Sequence, residues 1–252
     1  MKYFIFALML MATPASADDL YSLYAGGKYE EAMRDGAAAN NAYGYAIAAR
    51  AALADAAMRP KPCLDCLRRG EDFARRAVAA DAKQADGHVW LAAALGLEGR
   101  IIGMIRARLA DMPHDAYLHL ITALQHDPRN AYALAAMGAW NIEIVKAGGA
   151  FLARKIYGVT EEDGMAFLDR AVKSAPGNVA VRYQIGLLLA GYQPDLFRAR
   201  ITAELEAAIH DTPNTAYEKF IQGRAAELLA LQKQNDPELF AARVREFQGY
   251  PD

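Results

Sequence analysis

Cys63 and Cys66 are the two cysteines of the chain, three apart in PKPCLDCLRRGEDF. A pair at this spacing can be a redox couple, half of a zinc site or a small disulfide. A thiol at a helix N-terminus is acidified, which is how thioredoxin-type pairs work, but those pairs stand in a βαβ setting that this sequence lacks. Structural zinc takes four ligands, and neither a second CxxC nor an HxxxH follows. In an oxidising compartment the residues favour a disulfide that stiffens the loop between two helices. A redox role would instead require thiols that titrate near neutrality.

The histidines are His88, His114, His119, His126 and His210. None is three or four residues from another, and His119 and His126 would stand about 10.5 Å apart along a helix, too far to share an ion. AGGK at Ala25–Lys28 lacks the first glycine and the following Ser or Thr of a P-loop, so it reads as a turn. No GxSxG, SxxK or paired-carboxylate motif occurs. Glu30-Glu31 and Glu161-Glu162-Asp163 suit the first turns of helices, where the dipole favours acids. The sequence thus names no catalytic residue, no cofactor and no metal site.

The segments that would position any such group begin after residues 1–17, MKYFIFALMLMATPASA. A cation, an apolar run and Ala15-Ser16-Ala17 form the pattern of a cleaved secretory signal. Cleavage at Ala17/Asp18 is expected, with residues 18–252 delivered to the periplasm or outside the cell. The apolar run is far shorter than the roughly 20 residues of a spanning helix, so no membrane span is expected. Without residues 1–17 the chain carries 27 Lys and Arg against 30 Asp and Glu. That balance gives no basic footprint for a nucleic acid.

Alanine-rich stretches dominate and alternating β-branched runs are nearly absent, so the fold class expected is all-α. Stops fall at Gly26-Gly27, Pro60 to Pro62, Asp86-Gly87, Pro113, Asp127-Pro128, Gly148-Gly149, Pro176-Gly177, Pro194 and Thr212-Pro213. The stops recur with a pattern. Ala116, Leu120 and Ala123 precede Pro128 by twelve, eight and five residues; Gly164, Leu168 and Ala171 precede Pro176, and Ile201, Leu205 and Ala208 precede Pro213, at the same offsets. Met137-Gly138 and Ile185-Gly186 follow the first two prolines. Gly70, Ala74 and Ala77 stand likewise before Ala82, and Gly27, Tyr29 and Ala32 look like the end of a truncated first unit.

Small, bulky, small and proline at these offsets, with a large-Gly pair in the next helix, resemble the tetratricopeptide repeat. Small residues let two helices approach closely, and the proline ends one helix while suiting the start of the next. The repeat lengths, 46, 48 and 37 residues between successive proline positions, exceed the family's roughly 34. The two long insertions, about 100–115 and 144–163, together with GHVWLAAALGLEGR, DPRNAYALAAMGAWNIEI, FLARKIYG and FLDRAVKSAPGN, look like the helical-repeat domain of the regulator of microtubule dynamics family and its bacterial exported relatives. The likeness covers about 70–215. It implies an α-α superhelix of degenerate hairpins serving as a binding adaptor; a secretory signal leaves no place for a microtubule role.

RIIGMIRARLADM (100–112) and AGGAFLARKIYGVT (147–160) mix bulky apolar residues with cations. As helices they would be amphipathic, with Ile101, Ile105 and Leu109 on one stripe and Arg100, Arg106 and Arg108 elsewhere. Either they pad the neighbouring hairpin, or they rim a groove whose arginines and aromatics grip a ligand. The candidate partner-binding residues are His88, Trp90, Arg106, Arg108, Trp140, Arg154, Lys155 and Tyr157, with His88 and Trp90 placed where a groove-facing residue belongs. The function expected is a non-catalytic adaptor holding a protein or peptide on a concave face. The alternative is a small-ligand component similar to the helical-repeat partners of periplasmic solute transporters. An enclosed volume would favour the second, and an open groove the first.

Overall fold

A computed structural model describes residues 16–234 and 236–251. Of the expected secretory leader, residues 1–15 lie outside the described residues. Every regular element among the described residues is helical, and the chain is all-α.

Thirteen α-helices follow in order: α1 Ala17–Ala25, α2 Tyr29–Ala38, α3 Ala42–Met58, α4 Leu64–Ala80, α5 Ala85–Ile102, α6 Met104–Leu109, α7 Met112–His126, α8 Ala131–Leu152, α9 Glu161–Ser174, α10 Val179–Tyr192, α11 Arg198–His210, α12 Ala216–Gln234 and α13 Pro237–Phe247. Short polar side chains satisfy the first amides at several starts. Asn41 accepts from Gly44 N, Asn130 from Ala133 N, Asn178 from Val181 N, and Thr160 forms a reciprocal box with Asp163.

Most of the expected stops fall between helices. Asp86-Gly87 does not. It lies in the first turn of α5, the break being 81–84, because a side chain at Gly87 would crowd Ala77 at 3.1 Å, so the position keeps two helices close. Gly148-Gly149 kinks α8 instead of ending it: Gly149 has φ +76° and the helix resumes to Leu152, followed by a π-helical turn, Ala153–Tyr157. The 100–115 insertion is also no single helix, since Gly103 at φ +88° separates α5 from α6. Ile101 therefore belongs to α5, while Ile105 and Leu109 sit on α6, and the continuous stripe expected of them does not form.

The repeated offsets mark interior positions. Ala74, Ala77, Ala116, Leu120, Ala123, Leu168, Ala171, Ile201, Leu205 and Ala208 are all buried. They lie where α4, α7, α9 and α11 pack on their neighbours. A Cβ on Gly138 would stand 2.6 Å from Leu168 Cδ2 and 2.9 Å from the Gly164 carbonyl, so α8 and α9 touch backbone to backbone there.

Helices α3, α5, α8, α10 and α12 form an inner row in which each contacts the next, with α4, α7, α9 and α11 packed between them. The row meets itself: α12 contacts both α1 and α3. Gly27, at φ +78°, comes so close to Ala216 that a Cβ would be 2.9 Å from the alanine methyl. One apolar cluster runs through α1 to α5 and α7, a second through α8 to α13, and Tyr217 of α12 packs against both. No helix among the described residues is long and apolar enough to cross a membrane.

Candidate functional site

The inner row lines a cavity of about 1200 Å³ that is partly open to solvent. Its wall is built from Leu53, Leu95, Ala136, Ile185, Leu187 and Leu188, among other apolar side chains, and carries the aromatic rings of Trp90, Tyr132, Trp140, Tyr183 and Tyr217. Small residues on the inner faces leave this space. At Gly96, which lines it, a Cβ would meet nothing within 4 Å. The C-terminal tail closes part of the wall. Arg100 donates to the Gln248 carbonyl at 3.0 Å and lies 3.6 Å from Glu143, Gln248 donates to the Leu187 carbonyl at 3.2 Å, and Tyr250 lines the cavity.

A polar cluster on this wall is built around a cation. Arg50 of α3 is flanked on both sides by buried alanines, and its guanidinium lies 4.4 Å from the ring of Tyr24, 5.1 Å from Trp90 and 5.0 Å from Tyr132. Its Nη2 donates to the Tyr132 hydroxyl at 2.8 Å, while its Nε is buried without a hydrogen-bond partner. No carboxylate among the described residues stands within ion-pair distance of it. Asp86, whose field reaches it, accepts from Asn130 at 3.1 Å. Burial holds Tyr24 and Tyr217 in their neutral, hydrogen-donating form, raising both phenols although the nearby Arg50 acts the other way.

Arg50, Tyr24, Tyr132 and Tyr217 are missing from the sequence-based candidates. A lone cation inside the apolar run Tyr45 to Leu53 was the one available signal. A solvated helix face would carry several charges, and this stretch carries one.

Of the expected candidates, Trp90, Arg108, Trp140 and Tyr157 line the cavity. Trp140 donates from Nε1 to the Pro113 carbonyl at 2.7 Å, stacks on Tyr117 at 4.6 Å and meets Tyr157 edge-on at 5.7 Å. His88 does not face the cavity. Its ring is buried between α5 and α7, with Nδ1 2.8 Å from Nδ1 of His119 and Nε2 2.9 Å from the Ala82 carbonyl. The carbonyl requires a proton on His88 Nε2, so in the neutral pair His119 supplies the shared proton. Burial, then the neighbouring His88, holds His119 below its ordinary range. Sequence spacing misses this pair because its members lie on different helices.

Arg106, Arg154 and Lys155 are exposed and point away from the cavity wall. They stand beside a rim of exposed apolar side chains: Met104, Ile105, Leu109, Phe151, Leu152 and Ile156. These are 46–84% exposed, whereas Ala107, Ala153 and Val159 of the same insertions are buried, so the insertions pack in part and leave an apolar edge in solvent. Most of this rim also borders the cavity.

Cys63 and Cys66 form a disulfide, and Cys63 Sγ accepts from Cys66 N at 3.3 Å at the start of α4. The bond ties the N-cap of α4 to that helix's first turn, so it braces the helix start where the sequence suggested a staple across the loop between two helices, and neither cysteine lines the cavity. No group of three or more His, Cys, Asp or Glu side chains that could hold a metal ion occurs among the described residues.

No family model matches the chain, and no curated protein matches it.

Proposed function

We propose that this protein is a non-catalytic binding protein that takes an apolar small molecule into the cavity lined by its inner row of helices. The observation that carries this reading is the cavity's size and lining: about 1200 Å³, at or above the roughly 300–1,000 Å³ of drug-sized ligand sites, with an apolar wall and a few convergent polar groups. A groove for an extended peptide would remain open along its length and offer backbone partners. Here α12 returns to α1 and α3, which favours enclosure. The buried repeat offsets support descent from tetratricopeptide-type hairpins. The leader-like first seventeen residues and the Cys63–Cys66 disulfide support export to an oxidising compartment, where a carrier of this kind would serve solute uptake.

Filling the cavity tests the reading. Gly96→Phe projects a ring from α5 toward the cavity, where the added Cβ meets nothing within 4 Å and replacing glycine improves helix propensity. The variant should stay folded and lose uptake of an environment-sensitive apolar dye. Dye uptake equal to wild type by a folded Gly96→Phe would sink the proposal.

A second reading is favoured by the rim. Six exposed apolar side chains interleaved with Arg106, Arg108, Arg154 and Lys155 have the composition of a protein contact surface. In that reading a protein partner docks at the cavity mouth and passes the ligand on or receives it.

A further inference from the structure

Resting on the cavity reading above, we infer that the ligand is a monoanionic amphiphile: a carboxylate on an apolar body, with the carboxylate held by Arg50 and the hydroxyls of Tyr24, Tyr132 and Tyr217.

Charge leads the argument. A guanidinium does not shed its proton, so Arg50, half-buried on the wall, stays charged, and charges drawn out of water in proteins are paired. Arg50 is enclosed by three aromatic faces, which lower the cost of burying a cation without neutralising it. Its Nε is buried with no partner, and no carboxylate among the described residues ion-pairs with it. Yet the group borders the cavity. An arginine kept as core filler would be satisfied by the protein. This one keeps the accessible part of its guanidinium on the cavity wall, where an entering anion meets it.

Counting donors gives the same answer independently of charge. A tyrosine hydroxyl has one proton and accepts twice. The Tyr132 hydroxyl accepts from Arg50 Nη2 at 2.8 Å and from Asn178 Nδ2 at 3.1 Å, which uses its lone pairs and leaves its proton to be donated. The Tyr217 hydroxyl accepts from Gln184 Nε2 at 3.3 Å and has its proton left over in the same way. Tyr24 completes the group, with its ring against Arg50. The wall therefore offers the Arg50 guanidinium and several phenolic O–H donors in one place, while the Glu143 carboxylate, also on the wall, stands 3.6 Å from Arg100. That set fits an acceptor-only headgroup and rejects an amine or an ammonium.

Charge at this cluster favours the carboxylate. Of the other arginines on the wall, Arg100 lies 3.6 Å from Glu143 and Arg224 rests on the rings of Phe220 and Phe247; a phosphate monoester carries about 1.5 to 2 negative charges at neutral pH, of which Arg50 would compensate one. The apolar remainder of the cavity then sets the ligand's body: Leu95, Ala136, Leu187 and Leu188 make no hydrogen bond and accept hydrocarbon.

Four probes of equal chain length distinguish the possibilities by calorimetry on the full chain: dodecanoate, dodecan-1-ol, dodecyl phosphate and dodecyltrimethylammonium. Wild type should bind dodecanoate at least about tenfold more tightly than the alcohol, the scale of a buried charge-assisted hydrogen bond. It should bind the phosphate less tightly than the acid and the ammonium least. Arg50→Met should bring dodecanoate down to the level of the alcohol and leave the alcohol's own affinity within about twofold, whereas Tyr132→Phe should weaken the acid selectively and less severely.

If wild type binds acid and alcohol equally, the headgroup assignment is overturned while the apolar-cavity reading survives. A preference for the phosphate or the ammonium overturns it as well. If none of the four binds, both readings fall. Should Arg50→Met not fold, the wild-type ranking of the four probes decides the matter by itself.

Discussion

Gly138 is where the scaffold has least room, and Gly138→Ala measures how much the α8–α9 contact contributes. The added methyl would stand 2.6 Å from Leu168 Cδ2, 2.8 Å from its Cγ and 2.9 Å from the Gly164 carbonyl oxygen. The leucine tip can swing away, but Leu168 is itself buried, and the carbonyl belongs to the backbone of α9. The helices must therefore separate. Overpacking costs about 1–3 kcal/mol, and because a backbone carbonyl must move here the upper part of that range, about 2–3 kcal/mol, applies, against which alanine returns about 1 kcal/mol of helix propensity. The net expectation is a loss of about 1–2 kcal/mol, which at about 2–4 °C per kcal/mol for a chain of this size lowers Tm by about 2–8 °C. Gly223→Ala is the control: it lies in the interior of α12 with nothing within 4 Å of the added carbon. That variant should gain about 0.4–1 kcal/mol. Thermal and urea unfolding followed by circular dichroism reads both. If Gly138→Ala proves as stable as wild type, the close approach is not a packing constraint and the account of these glycines is wrong.

Glu98, buried on α5 opposite α4, has its carboxyl pushed up to about 8, first by burial and then by Glu71 beside it, with Arg68 opposing. A raised carboxyl stabilises the fold while protonated, fully below its ordinary 4.5, and that contribution is lost as pH rises through about 8. Urea midpoints should therefore fall between those limits, and Glu98→Gln should flatten the decline; an unchanged profile in the variant would place the titration elsewhere. Removing the disulfide with Cys63→Ser and Cys66→Ser opens a loop of sequence separation 3, worth about 2 kcal/mol by loop entropy. The doubly substituted protein should stay helical and melt about 4–8 °C lower, whereas free thiols in protein purified without reductant would contradict the bond itself. Arg106→Ala with Arg154→Ala should leave Tm unchanged, because neither cation has an acidic partner among the described residues and exposed charges contribute little. Crosslinking of a docked partner at the rim should weaken; early melting of the pair would show instead that the insertions are packing elements.

The scaffold was legible because short-range rules govern it. The offsets that place Leu120, Leu168 and Leu205 beside small residues are local, and all three are buried. The caps at Asn130, Asn178 and Thr160 follow from the same turn chemistry that marked the stops. Of this cluster only Trp90 was among the expected residues, because Tyr24, Arg50, Trp90, Tyr132 and Tyr217 lie on five different helices and meet only once the inner row has formed. A periodicity argument assigns faces to a helix. It does not say which helices will face one another across a void. The insertions misled for a related reason: the apolar stripe drawn through Ile101, Ile105 and Leu109 assumed a continuous helix, and Gly103 at φ +88° divides it.

The return of α12 to α1 and α3 also bears on how such a protein can evolve. Open stacks of hairpins gain and lose units by duplication, since each unit answers only to its neighbours. Here the first and last units answer to each other through Gly27 and Ala216. An extra hairpin inserted anywhere would push those two residues apart and open the wall. Unit number is therefore frozen, and change is confined to what the closed row tolerates: longer connections at the rim and altered side chains facing the cavity.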